Sequence, residues 1–229
     1  MKKTLLVLFL AVSVSFLTFA REPVSTISEG WFRFGVEFGN FFERGFYGGE
    51  MDRGYIGSPG INFSSYRFTN HRNVGFFSSF FFGIPRINPD TNNFRGFDNT
   101  TQLGFIFGVG FRRELSERFT LHYGVGLNTI ISLFDFTEHI PSIGNVEFEV
   151  STITLGIGSD VGFKLRLSNT TFFSFGSIFT YDFARFWSTD TIIGPIRMND
   201  SGWDEIFRGI SIRPYFTIGF YLLRETIRF

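Results

Sequence analysis

Eight segments of the chain alternate large apolar residues with small or polar ones, and the connections between them alternate in length. The first runs from Trp31 to Asn40, with Phe32, Phe34, Val36 and Phe38 on one face and Arg33, Gly35, Glu37 and Gly39 on the other. The second, roughly Ile61 to Thr69, has the weakest pattern. The third, Asn73 to Ile84, groups Val74, Phe76, Phe80 and Phe82. The fourth, Gln102 to Arg112, sets Leu103, Phe105, Phe107, Val109 and Phe111 against Gly104, Ile106, Gly108 and Gly110. Segments Arg118 to Ile131, Thr152 to Leu167, Thr171 to Phe183 and Gly209 to Leu222 continue the rhythm. Successive side chains of a strand point to opposite faces, so each segment reads as a strand with one apolar face.

Short turns fall at Asn70-His71-Arg72, Glu114-Leu115-Ser116-Glu117 and Ser168-Asn169-Thr170. Longer connections fall near residues 41–60, 85–101, 132–151 and 184–208, with loop signals such as Asn88-Pro89-Asp90 and Asn199-Asp200-Ser201-Gly202. A membrane-crossing antiparallel barrel needs this double alternation: a lipid-facing residue at every second position, tight turns at one end and long loops at the other. The second face argues against a soluble β-sandwich, because it holds mainly Gly, Ser and Thr instead of Lys and Glu, and glycine weakens a strand that must stand in water. A lipocalin-like barrel would turn the apolar face inward. The pattern therefore predicts an all-β fold, an eight-stranded antiparallel up-and-down transmembrane β-barrel. An even strand number places both termini at the short-turn, periplasmic side of the outer membrane of a diderm bacterium.

Composition sharpens this picture. Phenylalanine makes up 36 of 229 residues; rings in that number suit a barrel that displays them to hydrocarbon. Residues 1–20 read as a removable signal peptide, with basic Lys2 and Lys3, an apolar stretch from Thr4 to Phe19 and a small-x-small site at Thr18-Phe19-Ala20. Residues 21–229 then form one barrel domain. Removing Lys2 and Lys3 leaves 19 basic residues against 21 acidic ones, a net charge of −2 with no basic field for nucleic acid. With no cysteine, disulfides, N-terminal Cys lipidation, thiol catalysis and Cys-ligated metal are excluded.

Charges on the inward face are the candidate functional groups, since a buried charge must find a partner. Glu37, Arg213 and Asp182 fall at similar heights, so Arg213 is expected between two carboxylates. Lower down, Asp160 and Lys164 are expected to meet His122, with Arg33 and Arg67 near the periplasmic mouth. This network reads first as a structural plug and second as a gate. Inward Phe77, Phe81, Ile178 and Tyr215 admit a third reading, an apolar tunnel. Catalysis is not expected: His71, His122 and His139 are scattered, none has an evident Ser and carboxylate beside it at the outer rim, and three isolated histidines make a poor metal site. No cofactor is expected. Phe46, Tyr47, Phe94, Phe97, Trp187 and Trp203 read as interfacial girdle residues or as a loop surface, the girdle being favoured for Trp187.

The mature chain resembles the small eight-stranded outer-membrane proteins of the OmpX, OmpA-barrel and OmpW type. The resemblance is one of pattern, and its most specific piece is Arg213-Pro214-Tyr215-Phe216-Thr217-Ile218-Gly219-Phe220 followed by the terminal Phe229. It implies outer-membrane lipids, periplasmic chaperones and the barrel-assembly machinery as partners, with Phe220 or Phe229 as the aromatic assembly signal. Phe229 falls on the wrong phase for lipid unless a bulge intervenes near Arg224. The role expected is a non-catalytic structural or surface-interacting barrel with a largely plugged lumen and an unidentified loop ligand. The alternative is a narrow OmpW-like channel for small solutes, hydrophobic ones included.

Overall fold

The computed structural model describes residues 27–44, 55–69, 73–84, 86–87, 97–140, 142–204 and 208–224. These residues form one antiparallel sheet. Its strands are β1 (Ile27–Arg44), β2 (Tyr55–Thr69), β3 (Val74–Gly83), the two-residue β4 (Arg86–Ile87), β5 (Phe97–Glu114), β6 (Phe119–Ile140), β7 (Gly144–Arg166), β8 (Thr171–Ile193), β9 (Ile196–Asp204) and β10 (Arg208–Arg224). Eight of them close a ring, β1-β2-β3-β5-β6-β7-β8-β10, because β1 pairs with both β2 and β10. β4 adds to β2 and β9 adds to β8. The residues of the expected signal peptide lie outside the described residues.

Outward residues are apolar and exposed around the ring, from Phe34 and Val36 on β1 to Ile218 and Phe220 on β10. In water so continuous an apolar belt would be a severe aggregation liability; in hydrocarbon it is the required surface. The turns after β5 and β7 are built alike. Leu115 N–H and Leu167 N–H donate to the carbonyls of Phe119 and Thr171, while Ser116 Oγ and Ser168 Oγ accept from the N–H groups of Phe119 and Thr171 at 3.1 and 3.0 Å.

At the other end the strands are longer than the alternation predicts. The described residues of 132–151 are strand except for a turn at 142–143: β6 runs to Ile140 and pairs back with β7, from Ile140↔Gly144 downward. Residues 184–208 are likewise mostly strand, because β8 runs to Ile193 and turns at Gly194 into β9. Gly144 (φ +99°) and Gly194 (φ +57°) supply the left-handed backbone for these two turns. Asn199-Asp200-Ser201-Gly202, a loop signal by composition, pairs in register with Asp190 through Trp187. Local turn propensity yields here to a ladder already set by the strands beneath. A spanning strand needs about 9–11 residues, so roughly half of the 23-residue β7 stands beyond the apolar belt.

Two bulges reverse the strand phase. On β8 the pairing passes from Gly156↔Asp182 to Leu155↔Ala184, so Phe183 is extra. Beyond it Trp187 lies on the inward phase opposite Thr152, while Phe186 and Trp203 meet outward as a tilted pair with centroids 3.6 Å apart. The girdle role expected of Trp187 therefore belongs by position to Phe186 and Trp203. On β10 the pairing passes from Trp31↔Tyr221 to Gly30↔Leu223, so the phase reverses at Leu222, two residues before Arg224. Phe220 is outward and exposed. Phe229 lies outside the described residues, as do Phe46, Tyr47, Phe94 and His71.

Candidate functional site: the buried lumen network

From the short-turn end inward, the lumen begins with an aromatic layer. Trp31 (β1) stacks on Phe68 and Tyr66 (β2) with centroids 4.9 and 5.2 Å apart and meets Phe172 (β8) at 6.4 Å. Lys164 on β7 reaches across with Nζ 3.4 Å from the Trp31 centroid and 4.7 Å from that of Tyr221, and Arg112 lies over Phe68. These cation–π contacts let two inward cations sit among rings.

The next layer centres on Asp160 of β7. Arg33 Nη2 donates to Asp160 Oδ2 at 2.5 Å, Tyr66 Oη to the same oxygen at 2.5 Å, and Tyr215 Oη to Oδ1 at 2.8 Å. Arg33 Nη1 donates to Tyr215 Oη, to His122 Nε2 at 2.6 Å and to Ser174 Oγ. Arginine only donates, so His122 Nε2 is an acceptor and the ring proton sits on Nδ1. Arg33, Tyr66, His122 and Asp160 are all fully covered. Six strands thus meet at one carboxylate–guanidinium pair whose hydrogen-bonding sites are largely filled, the condition under which a buried ion pair is tolerated. Small residues make the space: a Cβ on Gly176 would stand 2.6 Å from the Tyr215 hydroxyl, and one on Gly162 2.9 Å from His122 Nε2.

Above it, Asn62 Nδ2 donates to Glu37 Oε2 and to Ser79 Oγ, both at 3.1 Å, and Ser64 joins Ser79 at 3.0 Å. Arg213 Nη1 is 3.6 Å from Glu37 Oε1, and its guanidinium lies 3.6 Å over the Phe81 ring. Higher still, Asp182 accepts from Asn128 Nδ2 at 2.6 Å and Thr154 Oγ1 at 3.2 Å.

The inward charges predicted from the sequence are therefore all in the lumen except one. Arg67 lies on the outward phase of β2 with Ile61 and Phe63, and its ladder partner Phe76 is exposed. Its misplacement has a clear origin: Tyr66 and Phe68 look lipid-facing but fill the plug, which reverses the apparent phase of the weakest strand. Arg33 is not at the mouth but one layer inside it, on Asp160. Asp160 and His122 approach within 3.9 Å and are bridged by the Arg33 guanidinium, whereas Lys164 rests on Trp31. Arg213 reaches Glu37 but makes no ion pair with Asp182, whose oxygens go to Asn128 and Thr154. Phe77, Phe81, Ile178 and Tyr215 are buried, and Phe77, Ile178 and Tyr215 belong to one packed cluster, so they fill space instead of lining a tunnel. Tyr66, Asn62, Ser64, Ser79, Asn128 and Thr154 complete the network. The inward phase of Ser79, Asn128 and Thr154 was readable from period two, that of Asn62, Ser64 and Tyr66 on β2 was not, and the partners of none of them were.

Outside the belt, a second polar cluster joins β7, β8 and β9. Arg197 donates to Glu149 at 2.9 Å and to Asp190, and Asn199 donates to Asp190 at 2.5 Å. Hydrogen bonds from Asn199, then Arg197, hold the Asp190 carboxyl below the usual carboxylate range. His139 pairs with Asn145 across the β6–β7 hairpin at 2.9 Å. Among the described residues no group of three or more His, Asp and Glu is placed to hold a metal ion.

With the ring closed and its apolar belt outward, solved structures of the same form can be set beside it. A major outer membrane protein of Thermus thermophilus superposes with a TM-score of 0.58 at 11% identity, over 83% of this chain and 99% of that one. OprG from Pseudomonas aeruginosa superposes with a TM-score of 0.57 at 10% identity, over 86% and 97%. The chain has the fold of the small outer-membrane β-barrels. At these identities the likeness speaks for the fold alone. No protein-family model matches the sequence, and none of the curated proteins does.

Proposed function

We propose that the protein is an integral outer-membrane barrel, both termini periplasmic, that acts without catalysis as a structural or surface-interacting element. One observation carries the reading: Arg33 spans the lumen from β1 to Asp160 on β7, fully buried, directly above the aromatic layer. A conducting pore of eight strands would have to dissolve that pair, and eight strands leave a lumen that side chains can fill. Among the described residues, the parts free to meet a partner are then the β6–β7 and β8–β9 hairpins, which would project from the cell.

Single-channel recording of the refolded protein in planar bilayers tests this, on a sample first shown to be folded by heat-modifiable migration. Folded, inserted protein should stay silent to ions. Discrete, reproducible openings would overturn the plug and favour a narrow channel.

A further inference from the structure

Two guanidinium groups lie fully buried in the lumen, and they are treated differently. Arg33 donates to Asp160, Tyr215, His122, Ser174 and Ser64. Arg213 has Nε, Nη1 and Nη2 all buried and without a hydrogen-bond partner. Its nearest carboxylate oxygen, Glu37 Oε1, is 3.6 Å away, too far for a good hydrogen bond, and Glu37 Oε2 is taken by Asn62. Leaving five donors of a charged group unmet in a barrel interior is costly.

The surroundings favour an anion. Among the described residues the buried charged side chains of the lumen are Arg33, Lys164, Arg185 and Arg213 against Glu37, Asp160 and Asp182, an excess of one positive charge. Phe81 covers one face of the Arg213 guanidinium, so a planar acceptor would have to meet the group at its donor edges. The wall beside it is loosely knit: the β1–β10 ladder passes from Glu37↔Tyr215 directly to Asn40↔Ile212, skipping the stretch where Pro214 has no N–H to give. That leaves room for local adjustment around a bound ion.

We propose that Arg213 anchors a lumenal subsite for a small carboxylate anion, held in the plane of the guanidinium fork against Phe81, with Glu37 as its competitor. A carboxylate matches the fork with two parallel hydrogen bonds, which a spherical ion cannot.

Sodium formate is the probe, titrated into the protein refolded in phosphatidylcholine vesicles, with the urea midpoint as readout. Formate should raise the midpoint along a saturating curve. Arg213→Gln should abolish the saturating component and leave only the general salt response. Glu37→Gln, which removes the competing charge, should tighten the apparent affinity by about tenfold. No formate effect, a non-saturating effect, or the same curve in R213Q would overturn the proposal. Where R213Q does not fold, E37Q decides: an unchanged affinity overturns it and a tighter one supports it.

Discussion

The two halves of β7 keep one alternation and exchange its chemistry. From Ile153 to Leu165 the outward residues Ile153, Ile157, Val161 and Phe163 are apolar and exposed, and the inward residues include Thr154, Asp160 and Lys164, all buried. From Gly144 to Thr152 the outward residues are Asn145, Glu147, Glu149 and Ser151, and the inward ones include Val146 and Val150, exposed by only 1% and 5%. The backbone passes from one half to the other without a bulge on β7, so the strand itself does not change. What changes is the solvent on the outer side. The lower half meets hydrocarbon and stores its polar groups inside; the upper half meets water and buries its valines as a soluble sheet does. The inversion near Ser151 and Ile153 marks the outer boundary of the apolar belt on this strand.

The largest expected effect tests the polar interior of the lower half. Asp160→Ala strands Arg33 without its counter-charge and two tyrosine hydroxyls without their acceptor. It should cost about 3–5 kcal/mol in urea titrations of the folded barrel. A loss below about 1 kcal/mol would mean that Arg33 finds water or another partner and that the lumen is not dry there.

A matched pair on the outer face of β7 sharpens the boundary. Ile157→Arg should cost about 2–4 kcal/mol in lipid, because it sets a cation on the face that meets hydrocarbon. Ser151→Arg, also outward and six residues away, should cost much less. Equal costs would erase the boundary drawn between the two halves.

Next in size is the packing that lets the network close. Gly176→Ala pushes a methyl group towards the Tyr215 hydroxyl and the β7 backbone and should cost about 1–3 kcal/mol. Tyr215→Phe in the same background should recover part of that loss, since it removes the displaced hydroxyl. No recovery would place the strain in the backbone alone.

The smallest effect belongs to the water-facing half. Asp190 is held below its ordinary value by Asn199 and Arg197, so its contribution is present above the ordinary carboxylate range and lost as pH falls through the lowered value. Amide exchange in β9 should therefore stay slow from neutral pH down to about 4, once corrected for the intrinsic rate, and speed up only in stronger acid. Asp190→Asn should remove that acid step. A step centred near the ordinary carboxylate value in the wild-type protein would show that the Asn199 and Arg197 contacts do not hold in solution.

Legibility followed the same division. In the lower half, apolar-out and small-in is a strong period-two signal, and it located all eight membrane segments. In the upper half the contrast weakens or inverts, so residues 132–151 and 184–208 read as loops although most of them are strand. β2 shows the third case. Tyr66 and Phe68 are aromatic and inward, Arg67 is charged and outward, and a rule that equates aromatic with lipid assigns that strand the wrong way round.

By itself the sequence determined what depends on local periodicity and on the identity of the solvent: strand, membrane-facing stripe, tight turn, and an inward set of charges that had to be compensated. Which charge met which was decided only by the closed ring. Arg33 and Asp160 are 127 residues apart and Arg213 and Glu37 lie at opposite ends of the barrel sequence, so their distances depend on strand tilt, on the stagger of eight ladders and on two bulges. Those are properties of the whole sheet, set when it closes, and no local stretch of residues encodes them.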